Sequence, residues 1–233
     1  MFRPFLLAFH INTLLFSFAT ISAKWICDFY DQPFYNPKYD ARGVNNNRTL
    51  SVWEALSKKY VRPLFPAFLS TIAITTISMR FVDVFPLHGW LRTIENFMFY
   101  VLYVEFCYYG HHQWMHTKPM YKWIHSKHHE NIVVYPIDAF YIGFIDATSY
   151  FLILNIPVVL IKMNLFEYVL FQYIYICFNF ISHSNLAGSH HAAHHRLFNC
   201  NFCLLFPIFD FMFDTMRFED RLKPISYTDR HDE

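Results

Sequence analysis

The fold class is decided by residues 140–181, which read FYIGFIDATSYFLILNIPVVLIKMNLFEYVLFQYIYICFNFI. Two apolar segments, 140–160 and 165–181, are separated only by a short link containing Lys162, Met163 and Asn164. A membrane-spanning helix needs about 20 mostly apolar residues, and each segment approaches that length. The stretch therefore predicts two membrane helices joined by a tight turn.

The composition of the whole chain agrees with a membrane protein. The chain has 233 residues, of which 55% are hydrophobic, 21% are aromatic and only 16% are charged. A soluble domain carries roughly 25% charged residues. This composition argues against an ordinary soluble enzyme, a disordered chain and a coiled coil. The net charge of +1 gives no basic field for nucleic acid.

Three further apolar segments, 5–23, 64–85 and 94–109, bring the number of candidate spans to five. The first could be a cleaved signal peptide, but its weakly charged start and poor cleavage site favour an uncleaved anchor. We predict an all-α, integral membrane helical bundle of about four to five transmembrane helices with a histidine-rich helical cap. Residues 1–63 are predicted to form an N-terminal anchor and polar loop, and 64–233 the catalytic domain.

The loops predict the orientation of this bundle. If all five segments span, loop 24–63, loop 111–139 and tail 182–233 share one face. Fifteen of the 19 Lys and Arg residues lie in these three regions. Cytosolic loops carry the excess of Lys and Arg, so this face is predicted to be cytosolic. The glycosylation sequon that starts at Asn47 would then stay unused.

Histidine is the second unusual feature, with 14 residues that fall mostly in short blocks on the predicted cytosolic face. The first block has an H-x3-H spacing, which puts two imidazoles on one face of a helix. Two later blocks have the spacing H-x2-H-H, and one more histidine follows the fifth apolar segment. One metal ion takes at most about six ligands, so nine histidines point to two metals. The candidate ligands are His112, His116, His125, His128, His129, His183, His191, His194 and His195.

The remaining histidines and one carboxylate have other expected roles. His10, His88 and His231 are interpreted as ordinary polar residues, and His111 and His190 adjoin the blocks but break their periodicity. Glu105 lies seven residues before His112 on the same helix face. A carboxylate there suits the role of accepting the second N–H of a ligand histidine. The H-E-x-x-H motif of zinc proteases is absent, and a bis-histidine haem needs only two ligands.

At these residues the chain resembles the fatty acid hydroxylase and sterol desaturase superfamily of membrane di-iron oxygenases. That family combines an acidic residue, an H-x3-H box, two H-x2-H-H boxes, an Asn-aromatic pair and an aromatic-Asp element. The resemblance covers residues 105–215, and departures include Gln113 and Asp214. The matching residues are Glu105, His112, His116, His125, His128, His129, His191, His194, His195, Asn201-Phe202 and Phe209-Asp210.

The resemblance implies a function and a set of partners. It implies O2-dependent hydroxylation or desaturation of a membrane lipid by two Fe ions, with no catalytic residue beyond the metal ligands. The residues that would hold the metal ligands in place, without binding the metals themselves, are Glu105, Asn201 and Asp210. Electrons would come from NAD(P)H through cytochrome b5 or a reductase, because the chain has no flavin or nicotinamide fingerprint. The resemblance also implies residence in the membrane of the endoplasmic reticulum.

Several alternatives stay open at this point. A sterol is the favoured substrate, in a reaction like that of C25 or C4 sterol oxidases or C5 desaturases. A fatty acyl, sphingolipid or alkylglycerol lipid is the second possibility. A non-catalytic membrane protein that binds zinc is the third. Lys118, Lys122 and Lys127 would either dock an acidic electron donor or serve only to orient the chain in the membrane.

Overall fold

A computed structural model describes residues 2–34, 62–131, 134–186 and 190–218, and no β-strand occurs within these ranges. This confirms the all-α prediction. Most of the predicted polar loop lies outside the described residues. The main helices are α1 (Phe2–Phe29), α2 (Arg62–Ser78), α3 (Trp90–Met115), α4 (Phe144–Leu160), α5 (Leu165–Ser182), α6 (His190–Leu197) and α7 (Ile208–Met212).

Two helices of the described part are long and apolar enough to cross a membrane, namely Phe5–Phe29 and Leu165–Ser182. The apolar helices Ala67–Ser78 and Phe144–Leu160 are shorter. The second predicted segment is truncated, because α2 ends before the charged residues Arg80 and Asp83. The third is longer than predicted, because α3 continues through the first histidine block.

Large apolar side chains cover much of the outer surface of these helices. On α1, Leu14, Phe18, Ile21 and Trp25 are all more than half exposed. Exposed apolar surface of this extent is unusual for a soluble monomer and marks contact with a membrane or another protein. The distribution agrees with the low charge content of the sequence.

The opposite face of α1 packs into the bundle, with its most extensive contact against α5. Fully buried small residues, Ala19 and Ala23 among them, line this face. Small residues let helix backbones approach closely, which is the usual way that membrane helices pack. The Tyr173 hydroxyl on α5 donates a hydrogen bond to the Ser22 hydroxyl at 2.7 Å. The first helix is therefore an integral part of the described bundle.

Several helix ends meet at one end of the bundle. At this histidine end lie the C-terminal ends of α3 and α5 and the start of α4, where Asp146 contacts His125. The middle of α2 is tied to the first turns of α4 by a Ser70–Thr148 hydrogen bond of 2.9 Å. The segment after α1 reaches the same region through a Phe34–Ile137 backbone bond. The segments that were predicted to share one face therefore lie, where the structure describes them, near the same end of the bundle.

A tight turn joins α4 to α5 at the other end, as predicted. The Asn164 side chain accepts a bond from the Glu167 backbone N–H, and the Glu167 carboxylate accepts one from the Asn164 N–H. This reciprocal pair is a capping box, which fixes where a helix begins. The buried Glu167 carboxylate also contacts Thr93, Asn96 and His88. His88 is therefore a satisfied polar residue, as expected.

Candidate metal centre

The structure brings all nine predicted histidines together at the histidine end, in two adjoining groups. In each group the candidate ligand atoms lie within 4.8 Å of one another. Eight of the nine side chains are buried, and His116 is half-buried. The five-histidine group consists of His112, His116, His125, His129 and His194, and the four-histidine group of His128, His183, His191 and His195.

The histidine blocks are shared between the two groups. The H-x3-H pair lies on the last turn of α3 and at its C-terminal cap, one helical turn apart, so both members join the five-histidine group. The second block is not a continuous α-helix, because it begins in a π-helical turn, Tyr121–His125, and ends in a 3-10 turn, His128–Glu130. Its adjacent residues His128 and His129 therefore point to different groups. The third block lies on α6 and divides in the same way.

The second ring nitrogen fixes the tautomer of His112 and of His125. The Nδ1 of His112 lies 2.8 Å from the Phe202 carbonyl oxygen, which can only accept, so Nδ1 carries the proton. The Nδ1 of His125 lies 2.8 Å from a carboxylate oxygen of Asp146 and donates in the same way. The two Nε2 atoms, which are the remaining ligand atoms of these rings, face each other at 3.1 Å. Two ring nitrogens directed at one point in this way fit a shared metal ion.

Three more histidines are oriented by backbone carbonyls. The Nδ1 atoms of His194, His195 and His183 lie 2.6, 3.2 and 2.8 Å from carbonyl oxygens of Cys200, Asn131 and Asn179. Each Nε2 is thereby left as an acceptor that points into its group. Such outer bonds orient metal-binding histidines and raise their basicity.

Several buried ring nitrogens of the two groups have no hydrogen-bond partner among the described residues. They include Nε2 of His116, Nε2 of His183 and both ring nitrogens of His191. An unpaired buried polar atom costs about 1–3 kcal/mol, so a cluster of them calls for a ligand. The unpartnered nitrogens of His116, His183 and His191 fit bound cations, although Nε2 of His111 and of His190, which lie outside both groups, also has no partner among the described residues.

The protonation state of the cluster also suits metal binding. Burial lowers the pKa of His116 to about 3 and that of His183 to about 4. Burial and the neighbouring imidazoles hold the pKa of His112, His191 and His194 well below the usual value. Neutral imidazole is the form that binds a metal. All-imidazole ligation suits Fe, Zn, Cu or Ni, so the donor set fits two iron ions but does not select them.

Glu105 differs from its predicted role. Its buried carboxylate accepts hydrogen bonds from the backbone N–H groups of Leu204, Leu205 and Phe206 and from the Tyr175 hydroxyl. None of these partners is a histidine. Seven residues along a helix correspond to about 10 Å, so a carboxylate two turns below His112 cannot reach its ring. Glu105 instead anchors the loop between α6 and α7.

Asp210 and Asn201 hold the same loop from its other side. The Asp210 carboxylate accepts bonds from the backbone N–H groups of Phe202 and Cys203, each at 2.7 Å. Asn201 has a positive φ of 56° and bonds the backbone of His190 and Arg217. The anchored loop supplies the carbonyls that orient His112 and His194. Asp210 and Asn201 therefore support these two histidines indirectly, by holding the backbone whose carbonyls bond to them.

The partners of the ring nitrogens could not be identified from the histidine spacing. Asp146 lies within the apolar segment 140–160, where an ionisable group is itself an indication of function. The carbonyls of Asn131, Asn179 and Cys200 carry no such indication, because every residue has a carbonyl. His111 and His190 lie outside both groups, in agreement with their broken periodicity.

Comparison with known proteins identifies the family. The fatty acid hydroxylase family matches residues 97–215, which is about half of the chain and contains all nine histidines. The very-long-chain aldehyde decarbonylase CER1 of Arabidopsis thaliana is 28% identical over 153 residues, covering 54% of this chain and 24% of the relative.

Two further relatives give the same picture. The protein CER1-like 1 of Arabidopsis thaliana is 32% identical over 135 residues, covering 48% of this chain and 22% of the relative. The very-long-chain aldehyde decarbonylase GL1-5 of Oryza sativa subsp. indica is 30% identical over 136 residues, with the same two coverages. The chain thus spans about a quarter of the length of these relatives. No solved structure matches it. On the family match and the histidines within it, the chain belongs to the fatty acid hydroxylase family.

Proposed function

We propose that this chain is a membrane oxidoreductase that binds two iron ions through its nine clustered histidines and oxidises a fatty-acyl-derived lipid with O2. The observation that carries the proposal is the division of the histidines into groups of five and four, with lone pairs directed inward. The iron-dependent family favours iron over the other metals that imidazoles accept.

The chain's own residues would prepare the site for this chemistry. When bound, the iron ions supply the activation of O2 that oxidation of an unactivated C–H bond requires. The nine histidines hold the ions, and Asp146 together with four backbone carbonyls fixes five of the imidazole tautomers. The burial of the cluster excludes water, which protects a reactive site from side reactions. Glu105 and Asp210 keep the supporting loop in place.

The substrate is proposed to be a fatty acyl derivative rather than the sterol that the sequence favoured. Two of the three relatives, CER1 and GL1-5, are very-long-chain aldehyde decarbonylases by name, and none of the three names mentions a sterol. An apolar groove of about 560 Å³ between α1, α2 and α5 also suits a long chain, and Phe16, Phe65, Phe68 and Phe180 lie along it. Phe180 is one helical turn before His183, a candidate ligand. Hydroxylation and desaturation are both compatible with this site.

Electrons are proposed to arrive from NAD(P)H through cytochrome b5 or a reductase. Lys118 and Lys122 are exposed near the first two histidine blocks and suit an acidic donor surface. Lys127 is less suited to contact a donor protein, because its ammonium donates a hydrogen bond to the Ile142 carbonyl within the chain. The positive-inside effect accounts equally for all three positions.

The proposed topology has up to five spans with the histidine end in the cytosol. The convergence of helix ends at the histidine cluster supports this arrangement, as does the Lys and Arg distribution. Residence in the endoplasmic reticulum is part of the proposal and follows from the family resemblance.

The test is lipid profiling of a eukaryotic host that expresses the chain. We expect a new hydroxylated or desaturated acyl lipid that requires O2. The variant His128→Ala should abolish the product, whereas His111→Ala, which lies outside both groups, should retain it. A sterol product would contradict the proposed fatty acyl substrate and identify a sterol in its place. Bound zinc with no lipid product would overturn the proposal in favour of a non-catalytic metal-binding protein.

A further inference from the structure

Asp146 is a carboxylate that lies outside every histidine block and contacts a candidate ligand directly. Its Oδ2 lies 2.8 Å from Nδ1 of His125. Both side chains are almost completely inaccessible to solvent, at 6% and 1%. Within the described residues, the other assigned partners of the histidine Nδ1 atoms are neutral, namely four backbone carbonyls and, for His183, also the Ser182 hydroxyl. Among the residues that the structure describes, the five-histidine group therefore has a carboxylate partner and the four-histidine group has none.

The position of Asp146 in the fold makes this contact firm. Asp146 lies in the first turn of α4, where the helix dipole favours a negative charge. The start of α4 is fixed in turn by the Ser70–Thr148 bond to α2. A carboxylate held in this way sets both the tautomer and the orientation of the His125 ring. The result is the bare Nε2 that faces Nε2 of His112 at 3.1 Å.

We propose that Asp146 is a positioning residue that strengthens metal binding by the five-histidine group and leaves the four-histidine group unaffected. The inference rests on the proposed function only in requiring that the two groups bind ions. A negatively charged acceptor makes the imidazole a stronger donor to the metal than a carbonyl does. Loss of such a partner typically lowers metal affinity by about 10–100-fold. The two ions should therefore respond unequally to a change at Asp146.

The experiment measures iron per chain in the purified full-length protein as a chelator is added. The wild type should hold two ions. In Asp146→Ala, one ion should be released at a chelator concentration about 10–100-fold lower than in the wild type, while the second ion behaves normally. Asp146→Asn keeps an oxygen acceptor of the same size without the charge. The chelator concentration that releases its ion should therefore lie between the values for the wild type and for Asp146→Ala. The matched control is Glu167→Gln, which alters a buried carboxylate at the opposite end of the bundle.

A spectroscopic measurement separates positioning from a general loss of structure. In cobalt-loaded protein, Asp146→Asn should change the visible absorption of one of two cobalt ions, and Glu167→Gln should change neither. Equal release of both ions, or wild-type release from Asp146→Ala, would overturn the inference while leaving the proposed function intact. A wild type that binds no metal would instead overturn the proposed metal centre itself.

Discussion

The orientation of single imidazole rings depends on partners that are remote in the sequence. His112 is held by the carbonyl of Phe202, and His195 by the carbonyl of Asn131. The spacing of the histidines was enough to predict which side chains come together, because the three blocks already place several imidazoles within a few residues of one another. Their acceptors could not be predicted, because backbone carbonyls are identical along the chain and only the fold selects one.

Burial of neutral imidazoles predicts how the metal-free protein responds to pH. The pKa is lowered for eight of the nine candidate ligands, to about 3 for His116 and about 4 for His183. Histidines in the unfolded chain have a pKa of about 6.5, so below that pH the unfolded state binds more protons than the folded state. Stability is therefore complete above pH 6.5 and falls as the pH drops through the window toward the folded values.

The size of this effect makes it measurable. Each such histidine contributes up to about 1.4 kcal/mol per pH unit within the window. Thermal unfolding of metal-free protein in detergent should show a midpoint that drops steeply between pH 7 and pH 5. A midpoint that stays constant over this range would show that the imidazoles are not buried in the neutral form.

At the scale of elements, the histidine blocks did not all adopt the expected helix. The α6 block is helical, but the second block passes through π and 3-10 turns. The sequence pattern H-x2-H-H is the same in both, so it could not distinguish them. The apolar segments were predicted with better success, because their length and hydropathy are local properties. The ends of two helices differ from the prediction: α2 stops before the charged residues Arg80 and Asp83, and α3 extends beyond the segment 94–109.

The loop between α6 and α7 is held in place by Asp210, and a variant at this residue tests its role. Asp210 uses both carboxylate oxygens to accept backbone N–H groups. The variant Asp210→Asn has a single acceptor oxygen, so one buried N–H loses its partner at a cost of about 1–3 kcal/mol. We expect a lower unfolding midpoint and weaker retention of metal, because the carbonyls that orient His112 and His194 belong to this loop.

Asp214 offers a matched control for that variant. Its side chain is 98% exposed, and Asp214→Asn changes the same chemical group on the same part of the chain. Its unfolding midpoint and metal content should stay at the wild-type level. Equal behaviour of Asp210→Asn and Asp214→Asn would contradict the anchoring role of Asp210.

At the scale of the whole molecule, the fold places the two histidine groups at one end of an apolar bundle. The composition and the apolar segments predicted an all-helical membrane protein, and the histidine blocks predicted where its site lies. The packing of α1 against α5 could not be read from the sequence, because a membrane anchor and a bundle helix have the same hydropathy. The fully buried Ala19 and Ala23 of α1 acquire their significance only once the neighbouring helices are known.

The orientation of the bundle gives a prediction about modification. If the histidine end is cytosolic, the loop that contains the Asn47 sequon is cytosolic too. The chain expressed in a eukaryotic host should then migrate identically before and after treatment with a glycosidase. A sequon introduced into the link between α4 and α5 should be glycosylated, although its closeness to the membrane calls for a short inserted spacer. Glycosylation at Asn47 would reverse the proposed orientation.

The central claim is that nine histidines form two adjoining metal sites, and metal stoichiometry tests it most directly. Elemental analysis of the purified full-length protein should find two iron ions per chain. Variants should then separate the sites, with His183→Ala losing the ion of the four-histidine group and His116→Ala that of the five-histidine group. One ion or fewer per wild-type chain under iron-replete expression, or zinc in place of iron, would contradict the account.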